Sequence, residues 1–411
     1  MYSALLLEYK TEKLQSFLRI CGNRKFLRRA RRFAMSWKDL LRHTVASVDE
    51  MSRYIRLTPN ERSRLNEIAK IHPIRVTRHV MELMDPEDPG DPIRKMYLPS
   101  MDELDLSGTY DTSGEADNTK ATGLQHKYDP TALLISTNVC AIYCRYCFRK
   151  RMVGLSNSEV LGRLDDALSY IAGHPEINNV LVSGGDSFML STDIIKTFLR
   201  EFSKIPHIRF IRFGTKTPAS LPQRIIEDDD LIASFAEQNA DASKPRVYVF
   251  THINHPREIV PETVEAVRRL NSAGVTVSCQ SVLLKGVNDD ADVMVNLMNG
   301  LVSAGIVPYY VFQCRPVKRV RKSFQIPIAE GISILETAKR RLSGAAKRFK
   351  YAMSHSLGKI EIVGIADDRI IFKIHDAKYT EQTGTVFMRP EEEVGGWLPD
   401  DLELSTGLSI A

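Results

Sequence analysis

The stretch Thr137-Asn-Val-Cys-Ala-Ile-Tyr-Cys-Arg-Tyr-Cys-Phe-Arg-Lys-Arg151 contains three of the six cysteines of this 411-residue chain. Cys140, Cys144 and Cys147 form a C-x3-C-x2-C run. Three thiolates can hold three corners of a 4Fe–4S cube and leave the fourth iron without a protein ligand. A structural zinc site needs a closed set of four ligands, often as two separated pairs, which this chain lacks. The spacing therefore predicts a 4Fe–4S cluster, with a chance grouping of cysteines as the alternative.

This cysteine spacing resembles that of the radical S-adenosylmethionine (SAM) superfamily, in which the open iron chelates the amino and carboxylate groups of SAM. Other stretches resemble lysine 2,3-aminomutase in order and spacing, and the similarity runs from about Trp37 to about Val363. They are Asp88-Pro-Gly-Asp-Pro-Ile-Arg-Lys95, Ser183-Gly-Gly-Asp186, Arg212-Phe-Gly-Thr-Lys-Thr-Pro218, Thr251-His-Ile-Asn-His-Pro256, Gln280-Ser-Val-Leu-Leu-Lys-Gly-Val-Asn-Asp289 and Pro308-Tyr-Tyr310. Ordered agreement over most of a chain is more specific than any single motif.

The composition is that of a globular protein, with 43% hydrophobic and 26% charged residues. No stretch approaches the roughly 20 apolar residues of a membrane span, so no membrane association is expected. Cys21, Cys279 and Cys314 are scattered, which indicates a reducing cytoplasm and not a disulfide framework. The basic run over 24–32 carries apolar residues at helical spacing, so we interpret it as a solvated helix face and predict no nucleic-acid partner.

Residues 1–125 are predicted to form helices and connections. Ser47-Val-Asp-Glu50 and Thr58-Pro-Asn-Glu61 each resemble a capping box that opens a helix. Between 85 and 125 the chain is rich in Asp, Pro, Gly, Ser and Thr, which predicts a long surface connection with little regular structure.

Short β-branched apolar runs alternate with helical patterns from about residue 130 and predict a parallel sheet. The predicted strands are Ala132–Ser136, Asn179–Val182, Ile208–Phe213, Val247–Phe250, Val275–Gln280 and Val307–Phe312. The resemblance implies an α/β fold with a partial (β/α)6 radical SAM barrel over 126–345, followed by a short α+β segment over 346–411. The motifs then fall at the C-terminal ends of strands, where parallel α/β folds place their active sites.

The resemblance implies a SAM site at the turn Ser183-Gly184-Gly185-Asp186, where glycines let the backbone approach a ligand closely. His252 and Gln280 match further SAM contacts, and Tyr146 matches a residue whose backbone lies near the adenine. The alternative interpretation is a simple strand-to-helix turn beside a buried histidine of the core.

A second cofactor, pyridoxal 5′-phosphate (PLP), distinguishes the family, and Lys359 occupies the place of the lysine that holds it. A Schiff base needs an unprotonated amine, which burial beside apolar groups can supply. Lys127 and Tyr128 match contacts to the PLP phosphate, whereas Thr131 stands where the family has a second arginine. A solvated lysine at a strand edge is the alternative for Lys359.

Arg149 matches the residue that binds the α-carboxylate of the substrate, although it could instead contact SAM or an acidic neighbour. Lysine-acting members grip the distal ammonium of the substrate with two aspartates. Here Arg315 stands at the first position, and Ser354 or Met353 stands at the second. A cation there would repel lysine, so a substrate with an acidic or neutral polar side chain, such as glutamate, is predicted. Alternatively, Arg315 points away and pairs with Glu330.

Relatives bind a structural zinc that braces a tetramer, but Asp290 stands near one ligand position and no cysteine follows Cys314. No zinc is therefore expected, and a homo-oligomer is left open. The resemblance implies a radical SAM, PLP-dependent amino acid 2,3-aminomutase that needs an electron donor such as flavodoxin or ferredoxin. The alternatives are a radical SAM enzyme without PLP, and a non-catalytic metal-binding protein.

Overall fold

One mixed sheet of twelve strands forms the centre of the computed structural model, which describes residues 36–155, 158–378 and 380–400. The basic run over 24–32 lies outside these residues. In chain order the strands are β1 (Thr119–Ala121), β2 (Leu124–Tyr128), β3 (Thr131–Thr137), β4 (Asn179–Gly184), β5 (Phe210–Thr215), β6 (Arg246–Thr251), β7 (Thr276–Leu283), β8 (Val307–Gln313), β9 (Lys350–His355), β10 (Gly358–Ala366), β11 (Arg369–Ala377) and β12 (Val386–Pro390).

Each strand pairs with the next one along the chain, and β3 to β9 run parallel. The six predicted strands correspond to β3 to β8, and each is followed by a helix before the next parallel strand begins. No pairing joins β1 to β12 in the described part of the chain, so the sheet stays open. The prediction of a partial (β/α)6 barrel is confirmed. The sheet continues through both predicted domain boundaries, since β2 spans residue 125 and β9 pairs with β8.

Helices cover one face of the parallel strands and flank the cysteine-containing loop. They are α1 (Trp37–Arg42), α2 (Val48–Met51), α3 (Pro59–Ile71), α4 (Arg78–Met81), α5 (Pro92–Tyr97), α6 (Leu164–Ala172), α7 (Thr192–Phe202), α8 (Thr217–Ser220), α9 (Gln223–Ile226), α10 (Asp229–Ala240), α11 (Pro261–Ser272), α12 (Ala291–Ser303), α13 (Arg321–Phe324), α14 (Ile328–Lys339) and α15 (Glu391–Val394). None of these helices is both long and apolar enough to cross a membrane.

The two predicted helix starts are present. Thr58 and Glu61 form a complete capping box at α3, in which the Glu61 carboxylate accepts from the Thr58 backbone N–H at 2.8 Å. At α2 the Ser47 hydroxyl caps the helix, but the Glu50 carboxylate accepts from the backbone N–H of Ala46 instead.

Alternation along the parallel strands separates the core from an inner face. In β5, Ile211 and Phe213 are completely buried in the main hydrophobic core, whereas Arg212 between them lies on the opposite face and is only partly buried. Successive side chains of a strand point to opposite faces, so β6 repeats the pattern with Val249 in the core and Phe250 on the inner face. The inner face therefore carries polar and aromatic side chains that are free to line a site.

A second hydrophobic core joins the N-terminal helices to the loop after β3. Met51, Ile68 and Ile93 pack in this core with Ile142 and Tyr146. We call residues 138–151 the cysteine loop, because they contain the three clustered cysteines. The N-terminal helices therefore cover the cysteine loop directly.

The prediction of a surface connection over 85–125 was wrong. Asp91, Glu103, Thr112 and Glu115 in this segment are almost completely buried. Their polar side chains predict a solvated loop, but the buried carboxylates pair with basic residues. Asp91, for example, forms a salt bridge with Arg257. Composition alone could not reveal these partners, because they lie far away in the sequence.

Two buried carboxylates of this segment hold the cysteine loop. Glu103 accepts from Arg145 Nε at 2.8 Å and from Lys150 Nζ at 2.7 Å. Burial alone would raise the pKa of Glu103, but the charges of Arg145 and Lys150 outweigh it and lower the pKa to about 2. Glu115 likewise pairs with Arg149 and Arg151, at 3.1 and 2.8 Å. Each basic residue of the cysteine loop is thereby matched to a buried anion.

Gly358 gives the β9–β10 turn its shape. Its φ is +146°, and a Cβ atom there would collide with the carbonyl oxygen of Asp376 and lie 2.9 Å from the Cα of Ala377. Only glycine lets β10 start this close to β11. The next residue, Lys359, is thereby placed opposite Ser354 and Asp376 on the neighbouring strands.

We expect Gly358→Ala to lower the free energy of unfolding by about 1–3 kcal/mol, because it combines a strained φ with a backbone clash. Gly364→Ala is the matched control in the same strand, since no atom lies within 4 Å of its added Cβ. The control should lose no more than about 0.5 kcal/mol. Urea unfolding of both variants measures the difference, and equal stability would contradict this account.

We expect Glu103→Gln to cost about 3–5 kcal/mol at neutral pH, because it leaves Arg145 and Lys150 buried without a compensating charge. The folded-state pKa of Glu103 lies below its usual 4.5, so its stabilisation is complete above that pH and is lost as the pH falls towards about 2. The difference in unfolding free energy between the wild type and Glu103→Gln should therefore shrink as the pH falls from 4.5 towards about 2.

The control for this comparison is Glu67→Gln, which removes the exposed Glu67–Lys70 pair and should change stability by less than about 1 kcal/mol. Unfolding free energies at neutral and acidic pH test both expectations. A Glu103→Gln variant as stable as the wild type would refute them.

Candidate active site

The cysteine loop follows β3, at the C-terminal end of the parallel strands. Cys140, Cys144 and Cys147 are free and partly buried. Burial raises the pKa of all three thiols, and the proximity of Cys144 and Cys147 raises that of Cys140 further. Within the described ranges, no three His, Cys, Asp or Glu side chains converge on one point as a single metal ion requires. A cube binds its thiolates at separate corners, so three neighbouring thiols without a fourth ligand fit a 4Fe–4S cluster.

The glycines of the turn after β4 are required by the approach to the cysteine loop. Gly184 has φ +115°, and a Cβ there would meet the carbonyl oxygen of Thr137. A Cβ on Gly185 would lie 2.5 Å from the carbonyl oxygen of Val139. Both contacts are with backbone that leads into Cys140. The turn therefore packs directly against the cysteine loop, and glycine is needed at both positions for this close approach.

Asp186, the last residue of this turn, is directed into the protein. Its carboxylate accepts hydrogen bonds from Thr215 Oγ1 at 2.6 Å, from the Lys216 backbone N–H at 2.8 Å and from the Phe188 N–H at 3.0 Å. These bonds fix the turn against β5. Asp186 therefore supports the turn of the predicted SAM site from its buried side.

Tyr146, His252 and Gln280 meet beside the cysteine loop. The rings of Tyr146 and His252 stack with their centroids 5.5 Å apart, and the backbone of Gln280 contacts the His252 ring. Burial lowers the pKa of His252 to about 3, with the charge of Lys216 adding to the effect. The imidazole is therefore neutral at physiological pH and can exchange hydrogen bonds with a ligand.

Ser183 and Gly184, at the end of β4, both contact Arg149. Arg149 Nη1 donates to Ser183 Oγ and to the Gly184 carbonyl oxygen, both at 3.2 Å. The other side of the guanidinium pairs with Glu115, which is the acidic neighbour that sequence reasoning left open. The structure therefore shows the contact of Arg149 with an acidic neighbour, and its binding of the substrate α-carboxylate stays a prediction.

Lys359 lies on β10, between β9 and β11, and so is not at a strand edge. Its Nζ is 5.0 Å from the ring centroid of Tyr310 and 5.4 Å from that of Tyr128. Burial lowers the pKa of Lys359 to about 8, because the attraction of Asp376 does not offset it and Arg212 adds repulsion. A buried amine of this kind is suited to carbonyl chemistry.

Lys127 and Tyr128, on β2, lie close to Lys359. Lys127 Nζ donates to the carbonyl oxygens of Ser113 and His355, and burial together with the charge of Arg315 lowers its pKa to about 7. The Tyr128 hydroxyl is buried without a well-formed hydrogen bond. These are groups that an anionic ligand could satisfy.

The guanidinium groups of Arg149 and Arg315 both lie against the ring of Phe148. Their guanidinium carbons lie 4.7 and 4.4 Å from the ring centroid of Phe148. Arg315 Nη1 also makes a long hydrogen bond of 3.4 Å to Thr112 Oγ1, and Arg315 forms no salt bridge with any described residue. Glu330, the suggested alternative partner, is exposed on α14.

The two residues predicted as alternatives for the second substrate position differ in burial. Met353 is completely buried in the main core, whereas Ser354 is partly exposed and lies directly opposite Lys359. Directly opposed residues of antiparallel strands share a face, so Ser354 borders the Lys359 pocket.

Sequence reasoning missed several residues of this pocket. They are Thr112, Glu115, Phe148, Arg212, Tyr310 and Asp376. Arg212 and Tyr310 stand in motifs that carry the family resemblance, which was the available signal. Thr112 and Glu115 lay in the segment that was taken for a surface loop.

Comparison with known proteins agrees with this geometry. Residues 134–298 match the family model of the radical SAM superfamily. The chain is 40% identical to a putative L-lysine 2,3-aminomutase of Aquifex aeolicus, over 84% of this chain and 91% of that protein. It is 35% identical to L-lysine 2,3-aminomutase of Clostridium subterminale, over 75% of this chain and 73% of that protein. It is also 34% identical to glutamate 2,3-aminomutase of Clostridioides difficile, over 76% of this chain and 72% of that protein.

Among solved structures, a radical SAM methyltransferase of Sphaerobacter thermophilus gives a TM-score of 0.32 at 16% identity, over 56% of this chain and 68% of that chain. This likeness is too weak to assign a family. The relatives named above do assign one, because their identity exceeds 30% over most of both chains. The thiol donor set and the buried lysine also fit the 4Fe–4S cluster, SAM and PLP that such relatives imply. The chain belongs to the lysine 2,3-aminomutase family of the radical SAM superfamily, and it is an isomerase of the aminomutase type.

Proposed function

We propose that this enzyme is a PLP-dependent 2,3-aminomutase that moves the amino group of an α-amino acid other than lysine from Cα to Cβ, with an acidic substrate such as glutamate favoured. The observation that carries the proposal is the cationic pocket around Lys359. It contains Lys127, Arg149, Arg212 and Arg315, and these cations outnumber the carboxylates that influence them.

The cofactors are assigned to the groups of residues described above. Cys140, Cys144 and Cys147 hold the cluster, and a small reductant such as flavodoxin or ferredoxin supplies its electron. SAM is held at Ser183, Gly184 and Gly185, by His252 and Gln280, and beside Tyr146, with Asp186 fixing the turn. When bound, the cluster and SAM supply a carbon radical that removes a hydrogen atom, and PLP supplies a ring that spreads the unpaired electron.

Lys359 is the residue that holds PLP. With its pKa at about 8, its neutral fraction at pH 7 is roughly 300-fold larger than that of an ordinary lysine. Tyr128 and Tyr310 flank its amine, and Lys127 offers a positive charge to a phosphate. These residues exclude water and fix the position at which the aldehyde carbon of PLP would be attacked.

Arg149 and Arg315 are proposed to bind the two ends of the substrate. Arg149 presents a guanidinium fork to the α-carboxylate, with Glu115 holding its orientation until a substrate carboxylate replaces that contact. Arg315 lies across the same Phe148 ring and lacks a salt bridge within the described residues, so it is available for a distal carboxylate. The similarity to a glutamate 2,3-aminomutase supports this choice of substrate class.

Borohydride reduction followed by peptide mapping should place the phosphopyridoxyl group on Lys359, because reduction fixes the bond between Nζ and the aldehyde carbon. Lys359→Arg should lose the label. Lys373→Arg, which alters an exposed lysine on the neighbouring strand β11, should keep it. A label on another lysine, or none at all, would exclude the PLP half of the proposal.

Lysine should be a poor substrate, since an ammonium facing Arg315 in a partly dry pocket costs several kcal/mol, or roughly a thousandfold in kcat/KM. Glutamate should react better, and Arg315→Asp should shift the preference towards lysine. Arg321→Asp makes the same change on an exposed residue of α13 and should leave the preference unaltered.

Anaerobic measurement of kcat/KM for lysine and glutamate, in the wild type and both variants, tests the substrate assignment. A wild-type preference for lysine would show that the assignment of Arg315 is wrong.

A further inference from the structure

Arg212 is a partly buried arginine that forms no salt bridge among the described residues. It lies on the inner face of β5, and its Nε is buried without any hydrogen-bond partner. Nη2 makes only a long hydrogen bond of 3.4 Å to Thr131 Oγ1, and the guanidinium stacks on Phe250 at 5.6 Å. Asp376 attracts the positive charge of Arg212, but it forms no salt bridge with it among the described residues. A guanidinium N–H that is buried without an acceptor is costly, so this arrangement indicates a site for an anionic ligand.

The position of Arg212 connects it to the proposed PLP pocket. The positive charge of Arg212 repels that of Lys359. Tyr310 lies near both residues, because its ring contacts Lys359 Nζ and its hydroxyl interacts electrostatically with Arg212. Thr131, which Arg212 reaches, stands where the resemblance implies an arginine that contacts the PLP phosphate. The hydroxyl of Thr131 carries no charge and already exchanges hydrogen bonds with Asn179. The guanidinium of Arg212 on β5 thus reaches Thr131 on β3, the position at which this chain has no arginine.

We propose that Arg212 binds the phosphate of PLP through its Nε–Nη2 edge and supplies the guanidinium that Thr131 cannot; this rests on the proposed PLP site at Lys359. The planar fork of arginine matches two phosphate oxygens at once, whereas Lys127 provides only a point charge. Since a phosphate dianion would also offset the repulsion among Lys127, Arg212 and Lys359, its binding should stabilise the whole pocket.

Equilibrium binding of PLP and of pyridoxal, which lacks the phosphate, to PLP-depleted full-length protein tests the assignment. Arg212→Gln should weaken PLP binding roughly tenfold to a hundredfold more than it weakens pyridoxal binding, which is the range of a charge-assisted hydrogen bond. The removed repulsion on Lys359 affects both aldehydes alike, so the difference between them reports the phosphate contact. Adding Thr131→Arg to Arg212→Gln should restore much of the PLP affinity. Arg209→Gln alters an exposed arginine just before β5 and should change neither affinity.

Unchanged PLP affinity in Arg212→Gln would overturn the proposal, and so would an equal loss for PLP and pyridoxal, since that would indicate a change of pocket shape. If Arg212→Gln does not fold, Arg212→Lys serves instead, because it keeps the charge but loses the fork and should still weaken PLP selectively. Failure of the parent proposal is separately visible, since the wild-type protein would then carry no label on Lys359.

Discussion

The pairing of buried carboxylates with the basic residues of the cysteine loop is the constraint on which the site depends. Glu103 neutralises Arg145 and Lys150, and Glu115 neutralises Arg149 and Arg151. These pairs attach the cysteine loop to the segment upstream of the sheet. Because a buried charge without its partner is strongly unfavourable, the loop cannot leave this position without a large cost. The loop that carries the three clustered cysteines is thereby held in place by its own ion pairs.

The pocket around Lys359 follows the opposite principle. There Lys127, Arg212 and Arg315 form no salt bridge among the described residues. Burial together with the repulsion between cations lowers the pKa of Lys127 to about 7 and that of Lys359 to about 8. A protein usually neutralises buried charges, as this one does around the cysteine loop. An excess of cations beside a neutralised loop indicates that ligands supply the missing anions. A phosphate and the carboxylates of an amino acid are ligands of that kind.

The two environments meet at Arg149, which belongs to both. Its guanidinium contacts the turn after β4 through Ser183 and Gly184, the upstream segment through Glu115, and the Phe148 ring that it shares with Arg315. One side chain therefore connects the proposed SAM turn with the proposed substrate pocket. Its orientation is set by Glu115, a carboxylate of this chain.

The sequence by itself determined the parallel strands and the cysteine loop. Short runs of β-branched apolar residues predict strands because side-chain shape and polarity are local properties of each segment, and the six predicted strands are all present. The spacing of Cys140, Cys144 and Cys147 is local as well, so their grouping follows from the chain alone. Lys359 and Arg315 were found through the family resemblance, since no local pattern distinguishes a buried lysine from an exposed one.

Only the tertiary structure decided the partners of the charged residues. The polar segment over 85–125 was mistaken for a surface connection because Glu103 and Glu115 are buried by arginines that lie about 30 to 50 positions later in the chain. The unsatisfied Nε of Arg212 could not be recognised from the sequence, because the lack of a hydrogen-bond acceptor beside it is a property of the folded chain. Burial and charge compensation depend on which segments meet in space, and a linear pattern does not contain that information.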